Sequence, residues 1–307
     1  MNDAGENTGV GYEALSALTT GDENTAIGRG AGAAITTGGL NTAVGKYALN
    51  DVNTGGNNVA VGRNSGAAIT TSSGSVFIGK DAGALSVTGN QNIAIGMDAM
   101  AGAATTGDRN IVIGREAGRK LTSGHSNVLI GDEAATNITT ARENVVIGKG
   151  AYANANTSEN FAVVVGYNAA NNVDGIDNVV AIGHSALMTM QATDGNTALG
   201  FEAGKLTVGN SNTLIGHQAG NANTTADYNT AVGTSALLSI TSGENNIAVG
   251  HLALDALTDG DLNVAIGTSA LSAYNGNAAV AIGREALRDL NNTGALGTIG
   301  IGQGAGA

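Results

Sequence analysis

Four histidines, His125, His184, His217 and His251, and a scatter of carboxylates are the side chains here that could bind a metal or move a proton. Imidazole does that work near neutral pH, but it needs a carboxylate to orient it or further ligands converging with it. His184, His217 and His251 recur at one position of a repeat, two repeats apart, and the chain has no cysteine to complete a thiolate site. Catalytic groups break a repeat, whereas these obey it. Aspartates do not recur at fixed turn positions either, as calcium-binding glycine-aspartate coils require. The residues read as no enzyme, and no catalytic, cofactor or metal site is assigned.

The element that positions these side chains is the repeat itself. Versions of Asn-Thr-Ala-Val-Gly end at Gly11, Gly28, Gly45, Gly62, Gly79, Gly96, Gly114, Gly131, Gly148, Gly166, Gly183, Gly200, Gly216, Gly233, Gly250, Gly267, Gly283 and Gly302, mostly 17 residues apart and otherwise 16 to 19. The residue before each glycine is aliphatic, as at Val10, Ile27 and Leu199. The residue three before is Thr, Val or Ile, as at Thr25, Val59 and Ile93. Apolar residues two apart are strand periodicity. A second apolar column follows seven residues after the glycine, at Leu18, Ile35, Val52, Ile69, Leu121, Ile138, Val173, Ile240, Leu257 and Leu290, and predicts a second, shorter strand. Turn signals such as Thr20-Gly21, Thr37-Gly38 and Ser242-Gly243 close the coil.

The expected fold is therefore all-β, a parallel β-solenoid (β-roll) of about eighteen rungs of about 17 residues. At about 4.8 Å per rung it makes a rod of about 80 Å. Residues 1–307 read as a single repeat domain, without a linker or second domain.

Each column has an expected duty. The repeat glycine marks a crowded corner that needs positive φ or close backbone approach. Four residues earlier Asn24, Asn41, Asn58, Asn92, Asn110, Asn127, Asn144, Asn196, Asn212, Asn229, Asn246 and Asn263 form a structural ladder of side-chain hydrogen bonds. It is broken at Ser75, Ala162, Val179 and Ala279. Alanine three after the glycine, as at Ala31 and Ala48, lets two parts of the coil approach. The residue two before the glycine points away from its strand neighbours, yet it too is apolar: Ala26, Ala43, Ala60, Phe77, Ala94, Val112, Leu129, Val146, Val164 and Leu214. A strand apolar on both faces is covered on both, so this column is the expected oligomer interface. The residue after the glycine is often basic (Arg29, Lys46, Arg63, Lys80, Arg115, Lys149, Arg284) and the next one acidic (Asp81, Asp98, Glu116, Glu133, Glu202, Glu285). These stripes form a charged, solvated edge or pair between rungs or subunits.

Composition agrees with a thin β structure. Glycine is abundant, proline and tryptophan are absent and aromatic residues make up 3%, so a thick globular core is excluded. The 42% of apolar residues on a strict pattern excludes disorder. A net charge of −12 disfavours nucleic acid or an anionic membrane as partner. Residues 1–11 do not read as a secretory signal, and no stretch is apolar for long enough to insert in a membrane.

The phrases Asn24-Thr25-Ala26-Ile27-Gly28, Asn41-Thr42-Ala43-Val44-Gly45-Lys46-Tyr47-Ala48-Leu49 and Asn246-Ile247-Ala248-Val249-Gly250 resemble repeats of bacteriophage tail fibres and virion appendages. They are also similar to the head repeats of trimeric autotransporter adhesins, whose rungs are shorter. The resemblance implies a left-handed, trimeric β-roll in an extracellular fibre attached to a virion or cell surface, with a host-surface glycan or protein as receptor. A left-handed β-helix like that of hexapeptide transferases is the alternative fold, since Ile27-Gly28-Arg29-Gly30-Ala31 fits one hexapeptide. The expected function is a structural fibre or shaft that supports adhesion, with a self-assembling end-to-end filament as the alternative. An ice-binding solenoid, prompted by Thr36-Thr37, Thr70-Thr71, Thr105-Thr106 and Thr224-Thr225, ranks below both.

Overall fold

A computed structural model describes residues 5–155, 158, 160–175, 177–191, 195–290 and 297–306. The chain divides into two compact units, residues 1–160 and 161–307. Each is a parallel β-solenoid, and no helix occurs among the described residues. The first unit stacks Thr8–Val10, Thr25–Ile27, Thr42–Val44, Val59–Val61, Val76–Ile78, Ile93–Ile95, Ile111–Ile113, Val128–Ile130 and Val145–Ile147. The second stacks Val163–Val165, Val180–Ile182, Thr197–Leu199, Thr213–Ile215, Thr230–Val232, Ile247–Val249, Val264–Ile266, Val280–Ile282 and Ile299–Ile301. Each strand has three residues and pairs in parallel with the next at equivalent positions, as in Thr25↔Thr42, Ala26↔Ala43 and Ile27↔Val44. The 16-residue spacing between Gly200 and Gly216 leaves Ala198 opposite Leu214.

The rest of a rung is turn, and here the predicted second strand gives way. At Leu18, Ile35, Val52, Ile69, Leu121, Ile138, Ile240, Leu257 and Leu290 there is no strand; only Val173 lies in one, Asn172–Asp174, paired with Thr189–Gln191. A left-handed backbone recurs two and four residues after the repeat glycine, as at Tyr47 (φ 60°) and Leu49 (φ 48°), and makes the first part of the segment a turn; the Val173 rung carries the same pair at Asn168 and Ala170 and extends only beyond them. Such conformations are uncommon without a glycine. They persist because the turns hydrogen bond from rung to rung as a strand does. Tyr47 N–H donates to the Arg29 carbonyl at 2.9 Å, Gly32 N–H to that of Ala48 at 2.9 Å, and Thr36 N–H to that of Asn53 at 3.0 Å. The backbone groups of these turns thus stay satisfied from rung to rung. The apolar column survives without its strand: Ile35, Val52, Ile69, Leu121, Ile138 and Ile240 are buried.

The interior reverses one sequence expectation. Ala26, Ala43, Ala60, Phe77, Ala94, Val112, Leu129, Val146, Val164 and Leu214 are buried inside their own chain and are no oligomer interface. Their strand neighbours, such as Thr25 and Ile27, face outward. A narrow coil takes one inward residue per three-residue strand, so the commoner apolar positions are the outer ones. The inward residues fit by size. Ala43 shares its rung with the buried Leu49, whereas Phe77 lies against Gly83 and Gly66, where an added Cβ would meet its ring. Leu214 likewise stands against Gly204 and Gly220. Large and small alternate so that the coil closes at native density.

The repeat glycine answers to two constraints. Gly28 has φ +137°, and a Cβ there would lie 2.6 Å from the Gly45 carbonyl oxygen of the next rung.

Candidate interaction surface

The asparagine column is buried and fully hydrogen bonded. Asn24 Oδ1 accepts from the backbone N–H of Asn41 at 3.0 Å and from its Nδ2 at 3.1 Å. Asn41 Nδ2 also donates to the Gly55 carbonyl at 2.9 Å. Asn58, Asn110, Asn127 and Asn144 continue the pattern in the first unit. Asn212, Asn246 and Asn263 do so in the second, with Asn196 and Asn229 accepting. At Ser75 the hydroxyl replaces the amide: it accepts the Asn92 N–H at 3.1 Å, and the neighbouring Ser72 hydroxyl lies 3.2 Å away. This column holds rungs together and faces no partner.

The outer strand face is the open surface. Its two columns, one and three residues before the glycine, carry Val, Ile, Leu or Thr in every rung, with Ile27 43% exposed, Leu199 47% and Ile266 40%. Sequence reasoning found a doubly apolar strand and placed the open side on the wrong column. Period two contained the correcting signal: the residue two before the glycine shares a face with the asparagine four before it. If the asparagine ladder is inside, that residue is inside with it.

Beyond the glycine corner lies a column of mixed chemistry. Several of its charges pair within or between rungs: Lys80 with Asp81 at 3.3 Å, Arg115 with Glu116 at 2.7 Å and Asp132 at 2.8 Å, and Lys149 with Asp132 at 3.4 Å. Desolvation pushes the Asp132 carboxyl up, but hydrogen bonds from Arg115 and Lys149 hold it below its ordinary range. Hydrogen bonds to Glu133 first and then to Asp132 raise the Arg115 guanidinium. In the second unit, Lys205 and then Gln218 hold Glu202 below the usual carboxylate range.

Three of the four histidines, His184, His217 and His251, lie in this column. His184 and His217 belong to an exposed ring stack: Tyr167 to His184 at 5.1 Å, His184 to Phe201 at 5.0 Å and Phe201 to His217 at 5.2 Å between centroids. Tyr167 and Phe201 went unread in the sequence, although they occupy the histidine column. His251 stands alone in that column, and His125 lies in a turn beside Ser126. No group of His, Asp or Glu among the described residues could hold a metal ion. The threonine hydroxyls are engaged in the coil: those of Thr19, Thr70, Thr224 and Thr241 donate to carbonyls of the next rung.

Among the described residues no helix is long and apolar enough to cross a membrane. A scan against protein-family models finds no match, and a search of curated proteins finds none either.

Proposed function

We propose that this chain is a structural fibre or shaft protein of an extracellular or virion appendage, that it self-associates through the outer strand face, as a homotrimer, and that it supports adhesion to a surface. The observation carrying this reading is the aliphatic outer face in register. Within one unit the strip is about 40 Å long and about 10 Å wide, on the order of 400 Å². The second unit carries a strip of the same kind, so each chain offers on the order of 800 Å² in all, the usual contribution of one partner to a stable interface. A second copy of the same chain meets it with the same rung spacing, which few other surfaces match.

A coil whose rungs differ little and bond only to their neighbours suits a spacer. The test is the mass of the assembled species by sedimentation. A multiple of the 30.0 kDa chain mass, three for the trimer, is expected. A stable monomer overturns the self-association, and electron microscopy then reads whether rods form at all.

A further inference from the structure

We propose that Arg29, Lys46 and Arg63 form a binding site for a linear polyanionic glycan, carboxylated or sulfated, laid along the first unit. The three occupy the column after the repeat glycine in consecutive rungs. Backbone bonds from Tyr47 N–H to the Arg29 carbonyl at 2.9 Å, from Asn64 to Lys46 at 2.9 Å and from Asp81 to Arg63 at 2.8 Å stack them in register. All are exposed.

The contrast with the rest of the column carries the argument. Lys80, Arg115, Lys149 and Arg284 each have a carboxylate within ion-pair distance. Among the described residues no carboxylate pairs with Arg29, Lys46 or Arg63. The next column, which supplies acids such as Asp81 and Glu116, holds Gly30, Tyr47 and Asn64 beside these three. A solvated structural edge would relieve three stacked like charges with the acids used elsewhere. Here they stay open, on a chain whose net charge is −12.

Tyrosines complete the site. The Arg29 guanidinium carbon lies 5.7 Å from the Tyr12 ring centroid and 5.9 Å from that of Tyr47, and Lys46 Nζ lies 5.0 Å from the latter. Rings thus lie beside two of the three cations, Arg29 and Lys46. Cations with adjoining rings suit a sugar chain, whose acid groups meet the charges while its C–H faces pack on rings. The rung rise of about 4.8 Å is close to the advance per residue of an extended pyranose chain, so one cation faces each sugar. The site stands whether or not copies associate.

The experiment uses the full chain, with heparin as the sulfated probe, polygalacturonate as the carboxylated one and dextran as the neutral control. Binding is followed by calorimetry at several salt concentrations. The wild type is expected to bind one or both polyanions, more weakly as salt rises, and not dextran. The variant Arg29→Gln/Lys46→Gln/Arg63→Gln is expected to lose affinity by about tenfold or more. A charge-matched control, Arg109→Gln/Lys120→Gln/Arg142→Gln, is expected to change it by less than about twofold. The conservative Arg29→Lys/Lys46→Arg/Arg63→Lys variant retains binding and guards against a folding defect. Equal losses in the two Gln variants, or no polyanion binding by the wild type, overturn the site. A change of sedimenting mass in the column variant, with no change in glycan affinity, assigns the column to an acidic face of a second copy instead.

Discussion

Asn24 and Asn41 share one oxygen: Oδ1 of Asn24 accepts both the backbone N–H and the side-chain N–H of the asparagine in the next rung, at 3.0 and 3.1 Å. Replacing Asn41 by Ala orphans the Asn58 backbone N–H, one Asn58 amide hydrogen and the Gly55 carbonyl, all buried. A loss of about 2–4 kcal/mol is expected. Asn41→Ser keeps an acceptor, as Ser75 does, and is expected to lose about half as much. Urea unfolding midpoints decide, and two equally mild variants would refute the ladder's role.

Ala26 and Ile27 are adjacent, yet one is inside and the other 43% exposed. Ala43→Glu is expected to prevent folding, because it buries an unpaired charge. The triple variant Ile27→Glu/Val61→Glu/Ile78→Glu is expected to fold, with an unchanged circular dichroism spectrum, and to sediment as a 30.0 kDa chain. If its mass matches that of the wild type, the outer face is not where copies meet.

Gly28→Ala introduces both a strained φ, worth about 1–3 kcal/mol, and a Cβ 2.6 Å from the Gly45 carbonyl oxygen. Gly302→Ala introduces the strain alone, since φ is +122° and nothing lies within 4 Å of the added carbon. The first is expected to lower the melting temperature more than the second. Equal effects would remove close approach as the reason for the repeat glycine.

Acid should weaken the coil slightly. The Glu202 carboxyl is held below its ordinary value of 4.5 by Lys205 and Gln218. For Asp132 the ordinary value is 3.8; desolvation opposes the shift, and Arg115 and Lys149 outweigh it. A folded-state pKa below the unfolded one stabilises fully above the unfolded value and loses that contribution as pH falls through the folded one. Melting temperature is therefore expected to hold down to about pH 4.5 and decline below it. Both groups are half-buried at the surface and their pairs are screened by solvent, so the decline is small, and Glu202→Gln removes part of it.

Much of this fold was legible because a repeat averages over its own noise. One Asn-Thr-Ala-Val-Gly phrase says little, whereas its recurrence at 17 residues set the strand, the corner glycine and the asparagine column. Turn geometry was not legible. Tyr47 and Leu49 carry no mark of a left-handed backbone, because rung-to-rung bonding imposes it against their local preference. The inside and outside of the strand were misread because Val and Ile outrank Ala in apolar surface, while a narrow interior selects for small volume. The exposed rings of Tyr167 and Phe201 stayed hidden for a related reason: a column's chemistry emerges only when the rungs are stacked.

Phe77 seated against Gly66 and Gly83, with Leu49 on Gly66 as well, has a further consequence. A coil of identical rungs could slide by one step and lose nothing but its ends. At Phe77 the steps differ, and a one-rung slip would set its ring toward Leu49 or Met100 in place of a glycine. The coil is keyed at that point as well as repetitive, and the Phe77 rung is not freely exchangeable with its neighbours.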